Sequence, residues 1–274
     1  MNSVTIALKS LTATIFIGAF AVLSSSATSA LDSLDNIIRL NVLDGGLDSH
    51  SVHTAAIQLT LADGWKTYWR VPGDAGIPPE LSFDSSVNIE SIEIVWPKPN
   101  VFDQNGFTSI GYEEKLILPI LVTPIRPEQS IRLKGVMDIG ICREICIPAT
   151  LEFDKRLDPQ AKPHSIIDAA FDERLRALSD SNRNAVRCSL SRDADTHRLD
   201  VNLQLPSLGD NEFAVIESLN PNIFISQVST RRAGNSLAAT AKLTHREAAN
   251  FILDRSALRI TVIGDDDGLE IMGC

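Results

Sequence analysis

The sequence predicts an all-β protein: an antiparallel β-sandwich, a linking helix and a second, smaller β-domain. Three observations carry that reading. Short apolar runs follow the two-residue period of strands, as where Ile57, Leu59 and Leu61 face one way and Ala56, Gln58 and Thr60 the other. Turn residues separate many such runs, the habit of a sandwich. Helical spacing marks residues 163–179, and the strand pattern resumes after them.

Taken in order, residues 1–30 read as a secretory signal peptide. Lys9 is the sole charge before Asp32; it precedes the apolar stretch Ile15–Leu23, and the small residues Ser24–Ala30 allow cleavage after Ala27 or Ala30. That stretch is short for a membrane span, so cleavage is expected over an uncleaved anchor. The mature chain is then expected to be exported, into a compartment where disulfides persist. About 240 residues remain, which suits one large or two small domains. The predicted boundaries are 31–158 for the first sandwich, 159–182 for linker and helix, and 183–274 for the second β-domain.

Within the first sandwich, Asp63-Gly64 turns the chain into a short aromatic strand, Lys66–Val71, and a Pro/Gly loop covers 72–79. Ile92, Ile94 and Trp96 mark a further strand. Pro97–Glu114 shows no period and is expected to be irregular. Lys115–Val122, Ser130–Ile141 and Cys146–Phe153 are strand-like. In 163–179, Ser165 and Asp168 have capping-box spacing, and Phe171, Leu175 and Leu178 recur at helical intervals. Beyond it, Leu199–Leu205, Ile223–Val228, Leu237–Leu243 and Leu258–Ile263 are strand candidates. Thr244–Phe251 is a candidate short helix, and Asp267-Gly268 turns into a last strand, Leu269–Met272.

The formal charge is −10, and no basic patch carries interleaved aromatics, which argues against nucleic acid as a partner. The five histidines, His50, His53, His164, His197 and His245, lack metal-ligand spacing. No phosphate loop, nucleophile elbow or zinc-protease motif occurs. Neither a cofactor nor a resident metal is expected.

Chemistry concentrates in the four cysteines, Cys142, Cys146, Cys188 and Cys274. An even count in an exported chain points to two disulfides, with three possible pairings. Domain organisation favours Cys142–Cys146 and Cys188–Cys274, one within each half. On one straight strand, residues four apart lie about 13 Å apart, too far to bond. A tight turn through Arg143-Glu144-Ile145 makes them cross-strand neighbours instead, at about 4.5–5.5 Å. Three readings of this pair compete: a redox-active disulfide, a structural staple, and a metal site open to Cu(I). So small a loop removes little chain entropy and makes a poor staple. Cys188–Cys274 would close most of the second domain and reads as structural.

Pro97–Glu114 is long for a structureless loop, and Val101, Phe102, Phe107, Ile110 and Tyr112 give it apolar side chains that need something to cover. It is expected to form a lid over the cysteine pair, with Phe102 and Phe107 as the candidate cap residues. Trp65, Tyr68 and Trp69 read first as sheet-packing aromatics, with a place lining the thiol site as the alternative.

Gly64-Trp65-Lys66-Thr67-Tyr68-Trp69-Arg70-Val71-Pro72-Gly73-Asp74 resembles the early strand and loop of the DsbD-type disulfide reductase N-terminal domain. Trp96-Pro97, Ser109-Ile110-Gly111-Tyr112, Leu118-Pro119 and Cys142–Pro148 continue the likeness, in order, over about residues 35–155. The resemblance implies an immunoglobulin-like sandwich with catalytic Cys142 and Cys146. Phe102 and Phe107 lie where that family's aromatic cap loop would be, and Tyr112, Tyr68 and Trp65 are further candidates to line or cap the site. The resemblance also implies a membrane thiol reductase as electron donor and periplasmic thioredoxin-like or disulfide isomerase proteins as acceptors. Well-known members place more residues between their cysteines than the three found here. They also carry transmembrane and thioredoxin-like domains, so this chain is expected to be a stand-alone version with an added β-domain. The alternative, from another class, is a non-catalytic periplasmic binding module whose cysteines are structural or ligate Cu(I).

Overall fold

The computed structural model describes residues 34–274 apart from 75, 105, 180–183, 194–195, 227 and 248–250. The expected signal peptide lies outside the described residues. The first sandwich is built from β1 (Ile38–Leu47), β2 (His53–Leu61), β3 (Lys66–Gly73), β4 (Glu80–Ser82), β5 (Ser91–Ile94), β6 (Asn100–Gln104), β7 (Phe107–Glu113), β8 (Lys115–Thr123), β9 (Ile131–Cys142) and β10 (Cys146–Leu157). One sheet runs β1-β2-β8-β5; the other runs β10-β9-β3-β7-β6, with β4 also beside β9. All these pairings are antiparallel.

Alternation explains the layering. Ile57 and Leu59 of β2, Leu118 and Ile120 of β8, and Leu133, Met137 and Ile139 of β9 meet around Trp69 of β3 in one buried cluster. Each fully buried aliphatic side chain contributes about 1.5–3 kcal/mol relative to exposure. Pro97–Glu114 departs from the expectation. It is largely the hairpin β6–β7, in register from Asn100↔Gly111 to Gln104↔Phe107, with Gly106 at φ +86° in its turn. The hydrogen bonds of this segment come from strand pairing, so a weak side-chain period did not prevent it.

The linking segment is tied to the first sandwich before the helix begins. Asp44 of β1 accepts from His53 Nε2 at 2.7 Å and from the backbone N–H groups of Gly46 and, across the fold, Asp158. Helix α1 (Ser165–Asp172) is shorter than predicted, and its cap is His164, whose Nδ1 accepts from the Ile166 N–H at 3.3 Å, rather than Ser165. Ile167 and Phe171 pack α1 against Leu43, Ala56 and Ile117 on the outer face of the first sheet. Leu175 and Leu178 lie beyond the helix and join the first and second cores respectively.

The second sandwich comprises β11 (Arg176–Ala177), β12 (Val186–Asp193), β13 (Thr196–Gln204), β14 (Phe213–Ser218), β15 (Ile223–Ile225), β16 (Ser229–Ala233), β17 (Ser236–His245), β18 (Leu258–Ile263) and β19 (Gly268–Met272). Its sheets run β11-β19-β18-β14 and β12-β13-β17-β15, with β16 also on β17. The short β11–β19 pairing is parallel. Where a helix was expected from Thr244, β17 continues to His245; residues 248–250 of that expectation lie outside the described residues.

The β14–β18 layer is covered on both faces. Ala214, Ile216, Ile260 and Val262 belong to the second core, whereas Val215 and Ile263 belong to the first. The two sandwiches therefore share buried apolar surface. The Cys188–Cys274 bond joins β12 in one sheet of the second sandwich to the chain end beyond β19 in the other. It closes a loop of sequence separation 86, worth about 4–5 kcal/mol in the chain-entropy description.

The Asp44 cluster generates a test. Burial alone would raise the Asp44 carboxyl, but the His53 hydrogen bond and the two backbone N–H groups outweigh it and hold the group below its ordinary value. A depressed carboxyl contributes stability above the unfolded pKa, about 3.9, and loses it as pH falls through the folded value. Asp44→Asn should cost about 1–3 kcal/mol at neutral pH, because buried His53 then loses its charged acceptor. It should also make the acid decline shallower below about pH 4. Urea midpoints against pH check both; equal neutral midpoints for the two proteins contradict the tie.

Candidate functional site

The site lies at the end of the β9–β10 hairpin. β9 ends at Cys142, β10 begins at Cys146, and the two are direct cross-strand partners with Cα atoms 4.2 Å apart and sulfurs bonded. Arg143, Glu144 and Ile145 make the turn, with the Arg143 N–H donating to the Ile145 carbonyl. Twelve consecutive residue pairs hold this hairpin, so its shape does not depend on the sulfur bond. The two cysteines differ in access. Cys142 is 2% exposed, Cys146 is exposed, and Ile145 beside it is 75% exposed.

Strand β3 lies on the other side of β9, pairing Lys66 with Cys142 and Thr67 with Ile141. The Thr67 hydroxyl donates to the Gly140 carbonyl at 3.0 Å and locks this short contact. That register delivers the next residue, Tyr68, to the disulfide. Its hydroxyl donates to Cys142 Sγ at 2.7 Å and lies 3.2 Å from Cys146 Sγ. Tyr68 is 2% exposed, and burial raises its phenol above the usual range, so the oxygen keeps its proton at neutral pH.

Glycines make room for that ring. A Cβ at Gly76 would stand 2.6 Å from Tyr68 Cδ1, and one at Gly111 would stand 2.0 Å from the Thr67 carbonyl oxygen and 2.9 Å from Tyr68 Cα. A Cβ at Gly140 would stand 2.7 Å from Ile77. Gly76 and Ile77 of the Pro/Gly loop thus pack directly over Tyr68 and the end of β9.

The other predicted residues take different places. Phe102, on β6, lies under the Lys66 ammonium at 4.3 Å from its ring centre, and the same ammonium pairs with Glu113 at 3.0 Å. Lys66 is the strand partner of Cys142, so Phe102 adjoins the site through it. Trp65 is stacked by the Arg143 guanidinium at 5.5 Å and so borders the cysteine turn. Phe107 is 58% exposed at the start of β7. Tyr112 is buried in the core, and its hydroxyl donates to the Pro97 carbonyl at 2.9 Å. Its phenol is raised well above the usual range by burial, against the opposing charge of Arg70. Cys188 and Cys274 are bonded to each other in the second sandwich.

Sequence reasoning missed Arg70. Its guanidinium stacks on the Trp69 ring at 4.0 Å and donates through Nε and Nη2 to Glu217 of β14. Nη2 also meets Glu270 of β19 at 2.6 Å and Thr261 of β18 at 3.4 Å. The signal available was an arginine inside an aromatic strand, with no local partner in sequence.

Residues 45–158 match the family model for the thiol:disulfide interchange protein DsbD, N-terminal. This stretch is a DsbD N-terminal-type domain. It contains Tyr68, Phe102 and the whole cysteine hairpin, and its sandwich is immunoglobulin-like. The N-terminal periplasmic domain of ScsB from Proteus mirabilis has the same fold across both sandwiches, with TM-score 0.64, 18% identity, and coverage of 86% of this chain and 92% of that one. The Neisseria meningitidis DsbD N-terminal domain in its reduced form matches 51% of this chain and 100% of its own length at 17% identity, with TM-score 0.26. No curated protein matches the chain. Among the described residues, no helix is long and apolar enough to cross a membrane.

The packing behind Tyr68 predicts that Gly111→Ala is costly. The clashing atoms are β3 backbone, which cannot rotate away, so overpacking of about 1–3 kcal/mol is expected. Urea unfolding measures it, and an unchanged midpoint contradicts the described fit of β7 against β3.

Proposed function

We propose that the chain is an exported thiol–disulfide exchange protein of the periplasm. In this reading Cys142 and Cys146 relay electrons between a membrane thiol reductase and periplasmic thioredoxin-like or disulfide isomerase proteins. The observation that carries the proposal is the bonded pair at a hairpin end, with one sulfur residue buried and the other exposed, inside a DsbD N-terminal-type domain.

The chemistry follows from access. A donor thiolate attacks the sulfur of Cys146, the exposed residue of the pair, giving a mixed disulfide and freeing Cys142. A second thiol of the donor then attacks its own mixed disulfide, and the domain leaves reduced. In delivery, the Cys146 thiolate attacks the acceptor's disulfide, and Cys142 resolves the complex by bonding to Cys146. The apolar exposed Ile145 next to Cys146 gives a partner a contact beside the reacting sulfur.

Cys142→Ser should trap a mixed disulfide between Cys146 and a thioredoxin-like protein, because the resolving thiol is gone. Cys146→Ser should trap far less. Non-reducing gels and mass spectrometry of purified partner mixtures read the outcome. If neither variant forms a reducible adduct, the exchange reading fails and the binding-module alternative takes its place.

A further inference from the structure

We infer that Tyr68 is a catalytic residue of this exchange: its hydroxyl donates a hydrogen bond to the Cys142 sulfur as that sulfur departs, and so fixes Cys142 as the leaving group. The inference rests on the exchange reading above and adds a named role at the same site.

Geometry carries it. The Tyr68 oxygen stands 2.7 Å from Cys142 Sγ and 3.2 Å from Cys146 Sγ, so one phenol spans the bond that must break. The hydroxyl hydrogen-bonds to both disulfide sulfurs. The ring is held from several sides. Gly76 packs on it, Gly111 backs its Cα, and the next two residues in β3 are the fully buried Trp69 and the Arg70 clamp to Glu217 and Glu270.

The step balances simply. A thiolate electron pair forms a new S–S bond at Cys146 Sγ. The Cys142–Cys146 bond breaks, and its electron pair remains on Cys142 Sγ as a thiolate. The attacking thiol is the reductant, and no other co-reactant is needed. The Tyr68 O–H points at the new charge without giving up its proton, since a thiol, at about 8.5, is more acidic than a phenol, at about 10. Burial raises this phenol further. A neutral disulfide sulfur accepts weakly, whereas a thiolate accepts strongly. The interaction therefore strengthens as the reaction proceeds, which lowers the barrier rather than merely stabilising the resting bond. Tight packing fixes the donor before the charge appears.

The test uses dithiothreitol as the attacking thiol on the whole chain, with the Cys188–Cys274 bond as internal reference. Tyr68→Phe keeps the ring and removes the donor. Its Cys142–Cys146 bond should be reduced about tenfold more slowly, matching loss of one hydrogen bond to a charged group. The Cys142 thiol should titrate about one unit higher, followed by alkylation rate against pH and assigned by mass spectrometry. A folded Phe variant with wild-type rate and unshifted thiol overturns the role of Tyr68 while leaving the exchange reading intact. A wild-type bond inert to dithiothreitol in the folded protein overturns the exchange reading itself. Should the Phe variant not fold, 3-fluorotyrosine replaces it. The chain has 2 tyrosines, and the other donates to the Pro97 carbonyl. Fluorination strengthens the donor with little change in shape, so faster reduction supports the role, and an equal or slower rate overturns it.

Discussion

Three consecutive residues of β3 hold this molecule together: Tyr68 on the disulfide, Trp69 in the core, and Arg70 on the second sandwich. Trp69 is the largest fully buried side chain in the protein. Arg70 meets two carboxylates, from different strands of the facing sheet, in a largely buried setting. Such an ion pair gains little net stability over an apolar substitute, because both charges lose water. Breaking one side of it is another matter, since a buried charge would be left without its partner. The arrangement therefore specifies how the second sandwich seats on β3 more than it adds to stability.

The two disulfides sit in different mechanical settings. Cys188–Cys274 ties two sheets across a long loop, so its loss would release much chain entropy on unfolding. Cys142–Cys146 ties two residues that a continuous ladder already places side by side. In the chain-entropy description a loop that short contributes about 2 kcal/mol, less than half as much. Opening it asks little of the fold. A site meant to cycle between bonded and free sulfurs needs that property, and a rigid hairpin supplies it without a moving element.

Much of this was legible in the chain, and the failures have physical causes. β9 and β13 alternate because one face is buried and the other is not, and a bond between Cys142 and Cys146 requires the chain to turn between them. β14 was missed because Phe213-Ala214-Val215-Ile216 is covered on both faces, which erases alternation. The helix was drawn too long because Leu175 and Leu178 kept helical spacing while serving two different cores. The β6–β7 hairpin was read as irregular because its pairing rests on backbone groups and a glycine turn. Among the site residues, the cysteine pair stood out from spacing, but Tyr68 could not be told from Trp65 and Trp69. All three are aromatics of one short segment, and only the register Lys66↔Cys142 decides which one reaches the sulfurs. Arg70 was silent for the same reason, because its partners are 147 and 200 residues away.

The central claim is that the Cys142–Cys146 bond opens and closes within an intact fold. The most direct measurement equilibrates the protein with dithiothreitol couples of graded ratio and follows each disulfide by alkylation and mass spectrometry, with near-ultraviolet circular dichroism on the same samples. The account predicts that Cys142 and Cys146 become reduced first, reversibly, while Cys188–Cys274 stays bonded and the fold persists. A single transition in which all four cysteines appear together with loss of structure would contradict it.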